Sequence, residues 1–135
     1  MRLTVLLTLI CPMALLLNTS EVNAESFECG KPDGVMFTSL EPGKSIKDDL
    51  PANKVRVIAN EAGMAFAGHD VPLIQIHRTP GTITSVAKVS DALGDSVMLY
   101  TLDTKRGWLY ISSHKDMVVF DATRAGTYVS KCTRS

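Results

Sequence analysis

The stretch DSVMLYTLDTKRGWLYISSHKDMVVFDATRAGTYVSKC, residues 95–132, decides the fold. It contains four runs rich in apolar residues, and residues that favour turns separate each run from the next. The runs cover residues 97–102, 108–111, 117–120 and 126–132. Short apolar runs divided by turn residues are typical of antiparallel strands joined by hairpins. The stretch therefore predicts a C-terminal antiparallel meander.

Two cysteines, Cys29 and Cys132, stand outside the hydrophobic N-terminal segment. In an exported protein two such thiols usually pair, because the compartment is oxidising. A disulfide between them would join the two ends of the domain and close a loop of about 100 residues, which stabilises a fold by about 4–5 kcal/mol. Free or metal-binding thiols are the alternative, which an oxidising compartment disfavours.

Residues 1–24 have the pattern of a signal peptide. Arg2 precedes an apolar run at residues 3–17, and the small residue Ala24 ends the segment. An uncleaved membrane anchor is the alternative, but the run is shorter than the roughly 20 residues that a spanning helix needs. Cleavage after Ala24 leaves residues 25–135 as a single β-rich domain. The predicted location is the bacterial periplasm or the extracellular space.

The chain between residues 25 and 94 also predicts short strands. Alternating apolar and polar residues indicate strands at 54–60 and 82–89, whereas 45–50 is predicted to be a polar loop. The run 71–77 is predicted to be a half-buried strand with Ile74 and Ile76 facing the core. About eight or nine strands with frequent turns indicate an all-β fold. A small antiparallel barrel is favoured over a β-sandwich, because a disulfide would tie its two ends together.

The charges give no support to several classes of partner. The chain has 14 basic and 14 acidic residues, and neither sign clusters in the sequence. Nucleic-acid binding and polybasic membrane docking therefore have no support. After signal cleavage we expect no stable membrane insertion.

Three histidines, His69, His77 and His114, are the candidates for metal binding or hydrolysis. Their spacing matches no recognised metal-binding pattern. Ser112 and His114 lie too close in sequence to converge as a catalytic triad. We therefore predict no catalytic residue, no metal site and no cofactor, and keep a metal-dependent or hydrolytic enzyme only as an alternative.

The aromatic residues of the meander are the candidates for contact with a ligand or partner. Trp108 and Tyr110 share one face of a predicted strand, and Tyr100 and Tyr128 are predicted to be their cross-strand neighbours. With His69 they form the predicted contact set. The alternative is that these aromatic rings pack in the core.

The overall plan resembles the small periplasmic β-barrel lysozyme inhibitors of bacteria. The resemblance consists of a signal peptide, a short β-rich domain and a cysteine pair that joins its first and last strands. The Ser-Gly-x-x-Tyr inhibitory motif of one such group does not occur in this sequence, so no functional residue is carried over. Because the sequence contains no convincing catalytic constellation, the first hypothesis is a non-enzymatic exported binding or interaction protein, with inhibition of another protein as one form of that function. A carrier of a small apolar ligand inside the barrel is a second hypothesis.

Overall fold

A computed structural model describes residues 23–49 and 54–135 of the chain. The predicted signal peptide lies outside these residues, except for Asn23 and Ala24. No helix in the described ranges is both long enough and apolar enough to cross a membrane. The described chain forms strands β1 (Glu25–Cys29), β2 (Asp33–Thr38), β3 (Ser45–Asp49), β4 (Val55–Asn60), β5 (Gly63–Phe66), β6 (Ile74–Thr79), β7 (Thr82–Asp91), β8 (Gly94–Asp103), β9 (Trp108–Met117) and β10 (Ala122–Arg134), with a 3₁₀ segment at Val118–Phe120.

The last strand, β10, organises the sheet. One edge of β10 pairs with β9, and the other edge pairs first with β2 and then with β1. The sheet continues from β9 through β8 and β7 to β6, and from β1 through β4 to β5, while β3 pairs with β2. All of these pairings are antiparallel. The prediction of an all-β fold is confirmed.

The sheet curls until its two end strands, β5 and β6, lie side by side. A Cβ atom at Gly63 of β5 would lie 3.3 Å from Cβ of Gln75 in β6. Arg78 of β6 donates hydrogen bonds to the carbonyl oxygens of Asn60, at 2.5 Å, and Glu61, at 3.1 Å. The result is a nearly closed antiparallel barrel, as predicted, and not a sandwich.

The core fills the interior on the side of β1 and β4. The alternating residues of these strands turn inward and are almost fully covered by neighbouring strands. The largest fully buried apolar side chains are Phe27, Val57, Leu102 and Leu109. Burial of such side chains stabilises a fold by about 1.5–3 kcal/mol each. Ser85 also turns into this core, and its hydroxyl finds no hydrogen-bond partner among the described residues.

The predicted disulfide is confirmed. Cys29 of β1 and Cys132 of β10 are directly opposite each other in the ladder, and their sulfur atoms are bonded. The bond joins residues 103 positions apart in the sequence. It fixes the end of β1 against the last part of β10.

The turn between β8 and β9 lies where the sequence predicts one, between the apolar runs at 97–102 and 108–111. Oδ1 of Asp103 accepts hydrogen bonds from the backbone N–H groups of Lys105, at 3.0 Å, and Arg106, at 2.8 Å. Gly107 has a φ of 68°, which only glycine adopts readily. Its carbonyl accepts the N–H of Cys132 at 2.9 Å, so the turn is held against the disulfide.

The third predicted run of the meander is not a separate strand. The ladder between β9 and β10 extends to the pair Met117 and Ala122, so His114 lies within a strand and not in a loop. Residues 118–120 form the 3₁₀ segment of the connecting turn. Polar residues in the last part of β9 resemble a loop in sequence, although they occupy alternate faces of a strand.

Two further local predictions are wrong. Residues 45–49 form β3, because their backbone pairs with β2 even though the side chains are mostly polar. Ile74 and Ile76 point outward and are 66% and 56% exposed, whereas Val71 and Leu73 pack against the core. The sequence predicts this strand but assigns the wrong face to the core, because both faces of the segment 71–77 carry apolar residues.

The disulfide generates a stability prediction. We expect the Cys29→Ala, Cys132→Ala double variant to lose about 4–5 kcal/mol of unfolding free energy, because the unfolded chain regains a loop of about 100 residues. Urea unfolding of both oxidised proteins measures the difference. Wild-type protein treated with a reductant is the control and should match the double variant. Equal stability of the oxidised wild type and the double variant would contradict the prediction.

The turn at Asp103 generates a pH prediction. Backbone and side-chain hydrogen bonds from Arg106 hold the pKa of Asp103 below its ordinary value of 3.8. A lowered folded-state pKa stabilises the fold above the unfolded pKa, and this contribution disappears as the pH falls below it. We therefore expect Asp103→Asn to be less stable than wild type near neutral pH, with a difference that shrinks below pH 3.8.

Unfolding curves measured across the acidic range test this expectation. Asp70→Asn is the matched control, because the exposed side chain of Asp70 makes no comparable hydrogen bond within the described residues. A difference between Asp103→Asn and wild type that stays constant with pH would contradict the proposed role of the carboxylate.

Candidate ligand-binding cleft and apolar rim

A cleft of about 180 Å³ opens on the inner face of the barrel, where β2, β3, β8, β9 and β10 come together. Its lining combines charged groups, hydroxyl groups and thioethers. The lining residues are Met36, Asp48, Ser96, Met98, Ser113, Lys115, Arg124, Ala125 and Tyr128. Side chains of this kind offer several hydrogen-bond donors to a ligand.

The strand register explains why this end of the interior is polar. Residues directly opposite each other on neighbouring strands project from the same face of a sheet. On β9 the inward positions change from Leu109 and Ile111, which are buried, to Ser113 and Lys115 near the end of the strand. Lys115 is directly opposite Arg124 of β10, so two cations project inward from adjacent strands.

Gly34 allows Tyr128 to reach Asp48 across an intervening strand. Tyr128, Gly34 and Asp48 occupy corresponding positions on β10, β2 and β3. The Tyr128 hydroxyl donates a 2.9 Å hydrogen bond to Oδ2 of Asp48. A Cβ atom at Gly34 would lie 2.6 Å from Cδ1 of Tyr128, and one at Gly126 would lie 2.6 Å from the Tyr128 hydroxyl. The ring therefore occupies space that side chains at these two glycines would fill.

The environment keeps the Tyr128 hydroxyl protonated. Burial and the hydrogen-bonded carboxylate of Asp48 raise the pKa of Tyr128 above its ordinary value of 10.0, while Ser113 and Arg124 act in the opposite direction. At neutral pH the hydroxyl is therefore a donor, and one of the two carboxylate oxygens of Asp48 accepts it.

Arg124 projects into the cleft and contacts the thioether of Met36. Its Nε lies 2.8 Å from Sδ of Met36, and its Nη2 contacts the same sulfur atom. No carboxylate within residues 23–48 or 54–135 lies at ion-pair distance from this guanidinium. A thioether is a weak acceptor compared with a carboxylate or a phosphate oxygen.

Lys115 supplies the second cation. Its Nζ lies 2.7 Å from Oδ2 of Asp91, at the end of β7, and only 22% of its side chain is exposed. The hydrogen bond from Lys115 is the main reason that the pKa of Asp91 is lowered. Asp91 is not part of the cleft lining, so the charges that line the cleft are those of Lys115, Arg124 and Asp48.

The predicted contact residues divide between the two faces of the sheet. Tyr128 lines the cleft, and the hydroxyl of Tyr100 donates to Sδ of Met98 in the cleft wall at 3.1 Å. Burial raises the pKa of Tyr100. Trp108 and Tyr110 lie on the outer face, where Lys131 Nζ is 4.5 Å from the Trp108 ring centre. The predicted pairing of these four rings on one face is therefore wrong.

The histidines are separated in the fold. His69 is exposed in the connection between β5 and β6, His77 is exposed on β6, and His114 is exposed on the outer face of β9. Within residues 23–49 and 54–135, no three His, Cys, Asp or Glu side chains are placed together as potential metal ligands. The residues that line the cleft do not include any of these three histidines.

Sequence reasoning did not identify Asp48, Lys115 or Arg124 as candidate site residues. One signal was available in the alternation of residues 109–115, where two buried apolar positions are followed at the same spacing by Ser113 and Lys115. The turn predicted between the apolar runs at 108–111 and 117–120 concealed that alternation.

An apolar surface lies at the same end of the barrel as the cleft. The turns between β7 and β8, between β9 and β10, and between β2 and β3 are neighbours there. Hydrogen bonds of 2.9 Å between Ser39 and Thr123 join the last two turns. We call the large exposed side chains of these turns the apolar rim, and they are 46 to 72% exposed. The apolar rim consists of Leu40, Leu93, Val118, Val119 and Phe120.

The 3₁₀ segment presents three residues of the apolar rim in succession. It ends at Asp121, which has a left-handed backbone with a φ of 47°. Aspartate is among the few residues other than glycine that tolerate this conformation. The N–H of Asp121 bonds to the carbonyl of Val118 at 3.4 Å and closes the turn.

Comparison of the chain with protein-family models, with curated proteins and with solved structures finds no match. The function is therefore argued from the cleft and the apolar rim themselves.

The arrangement around Gly34 generates a prediction. We expect Gly34→Ala to destabilise the fold by about 1–3 kcal/mol, because a methyl group there overlaps the Tyr128 ring and the backbone of β10. Urea unfolding measures the loss, and spectroscopic titration of Tyr128 should show a pKa closer to its ordinary value as the ring moves from Asp48.

Gly30→Ala is the matched control for this prediction. A Cβ atom at Gly30 would meet only the carbonyl oxygen of Lys131 at 3.7 Å, which is an ordinary contact. If the two alanine variants were equally stable, the explanation given for Gly34 would be wrong.

Proposed function

We propose that this protein is an exported, non-enzymatic binding domain that recognises another protein through the apolar rim. The observation that carries the proposal is the exposure of five large apolar side chains on three adjacent turns. Large apolar side chains exposed together on neighbouring turns often mark an interaction site. Burial of each such side chain against a partner is favourable by about 1.5–3 kcal/mol, which the isolated fold does not gain.

The charges around the apolar rim favour a protein partner over a lipid surface. Glu41 follows Leu40, Asp91 accompanies the turn that carries Leu93, and Asp121 follows Phe120. An apolar centre with polar residues around it is the usual composition of a protein interface. Glu41 pairs with Lys44 and Asp91 pairs with Lys115, so the charges beside the apolar rim are mixed in sign and differ from the Lys and Arg clusters that bind anionic lipid head groups.

Inhibition of another exported protein is the particular form of this function that the resemblance in overall plan suggests. Turns at the end of a disulfide-closed barrel are presented on a rigid support, and loops on rigid supports often carry binding residues. Carriage of an apolar ligand and enzymatic activity by the histidines remain predictions that no observation on the cleft or the apolar rim favours.

Site-specific photo-crosslinking tests the proposal. A photo-reactive amino acid replaces Val119 in the apolar rim, and in a matched control protein it replaces Ile74, which is equally exposed on β6. Each exported protein is irradiated in its own compartment. We expect one discrete protein adduct from position 119 and none from position 74. The complex is then reconstituted from purified components.

Binding measurements on the reconstituted complex then test the individual side chains. Val118→Ser with Phe120→Ser should weaken binding by at least about tenfold, since central apolar residues dominate interface energies. Ile74→Ser with Ile76→Ser should leave it unchanged. Equal crosslinking at both positions, or self-association that the rim variant abolishes, would contradict recognition of a different protein.

A further inference from the structure

We propose that the cleft binds a small oxyanion, a free carboxylate or phosphate compound, through the guanidinium of Arg124. This inference goes beyond the proposed function and does not depend on it, because the apolar rim faces outward from the turns and the cleft opens on the inner face. The class of ligand follows from the donors that line the cleft.

Arg124 is incompletely paired within the part of the chain that the structure describes. A guanidinium has five N–H donors in a planar fork that matches the oxygens of a carboxylate or phosphate. In the described chain, the hydrogen-bond acceptor that Arg124 contacts is the sulfur of Met36. An oxyanion in the cleft would replace or supplement this weak acceptor with a charge-assisted pair of hydrogen bonds.

Asp48 does not serve as the partner of Arg124. Among the described residues that line the cleft, Asp48 is the one carboxylate, and it accepts the hydroxyl of Tyr128 at 2.9 Å. The Tyr128 ring lies across Gly34 and directs that hydroxyl toward β3. Asp48 is therefore hydrogen-bonded to the Tyr128 hydroxyl and not to the guanidinium of Arg124.

The charged groups and the volume of the cleft favour a small anion. Lys115 and Arg124 are directly opposite on adjacent strands and both line the cleft, but Lys115 is paired with Asp91, so Arg124 is the cation that has no carboxylate partner within residues 23–48 and 54–135. Ser113, inward on the same strand as Lys115, adds a neutral hydroxyl donor. A volume of about 180 Å³ has room for about six water molecules, which matches a small carboxylate or phosphate better than a large ligand.

The test uses nuclear magnetic resonance of the mature protein labelled with nitrogen-15. Acetate, succinate and inorganic phosphate are titrated separately at constant ionic strength against chloride. We expect at least one to shift the Arg124 Nε–H resonance saturably, with a dissociation constant of about 1 mM or below, as the small number of contacts suggests. The preference among the three probes distinguishes a carboxylate from a phosphate ligand. The absence of saturation by about 50 mM of every probe would overturn the proposal.

Variants identify the site. Arg124→Gln should weaken binding of the best probe by about tenfold or more, because it removes the charge-assisted fork. Arg56→Gln is the matched control, since Arg56 is exposed and pairs with Glu28 outside the cleft. Unchanged binding by a folded Arg124→Gln protein, or equal loss in the control, would overturn the assignment.

Two further variants keep the test decisive if Arg124→Gln does not fold. Met36→Leu removes the thioether acceptor and leaves the guanidinium in place, so binding should be retained or stronger. Asp48→Asn removes the opposing negative charge and should strengthen binding by about threefold or more. Loss of binding in Met36→Leu, or weaker or unchanged binding in Asp48→Asn, would contradict the electrostatic basis of the site.

Discussion

Because β10 pairs with β9 along one edge and with β2 and β1 along the other, it connects all parts of the sheet. The disulfide at Cys132 attaches the end of this strand to β1, directly within the ladder. A single strand thus carries the covalent closure at one end of the barrel and Arg124 of the cleft at the other. Tyr128 lies between them and belongs to both regions, since its ring is buried while its hydroxyl lines the cleft.

The interior changes from apolar to polar along the strands. The apolar part stabilises the fold, and the polar part forms the cleft. Near the disulfide, large apolar residues such as Phe27 and Leu109 are fully buried and supply the hydrophobic stabilisation. Toward the apolar rim the same inward positions hold Ser113, Lys115 and Arg124. Charged groups in an interior stabilise a fold only when they are well paired. Arg124 is paired with a thioether alone among the described residues, so its position is better explained by binding than by stability.

The fold was largely predictable from local signals, and the cleft was not. Alternation, turn residues and the cysteine pair each act over short distances or follow simple rules, and they predicted the barrel and the bond between Cys29 and Cys132. The errors came from positions where tertiary pairing overrides local pattern. Polar residues 45–49 form a strand because β2 offers a partner, and Ile74 points outward because Val71 and Leu73 of the same segment pack against the core instead. The pairing of Tyr128 with Asp48 joins residues 80 positions apart, which no local pattern indicates.

The glycines of the cleft show how small residues create a polar site inside a barrel. A side chain at Gly34 would block the path of the Tyr128 ring, and one at Gly126 would displace its hydroxyl. Asp48 accepts the neutral hydroxyl of Tyr128, while the guanidinium of Arg124 contacts the weak acceptor Sδ of Met36. The two glycines, which have no functional groups of their own, thereby leave the space in which Tyr128 reaches Asp48.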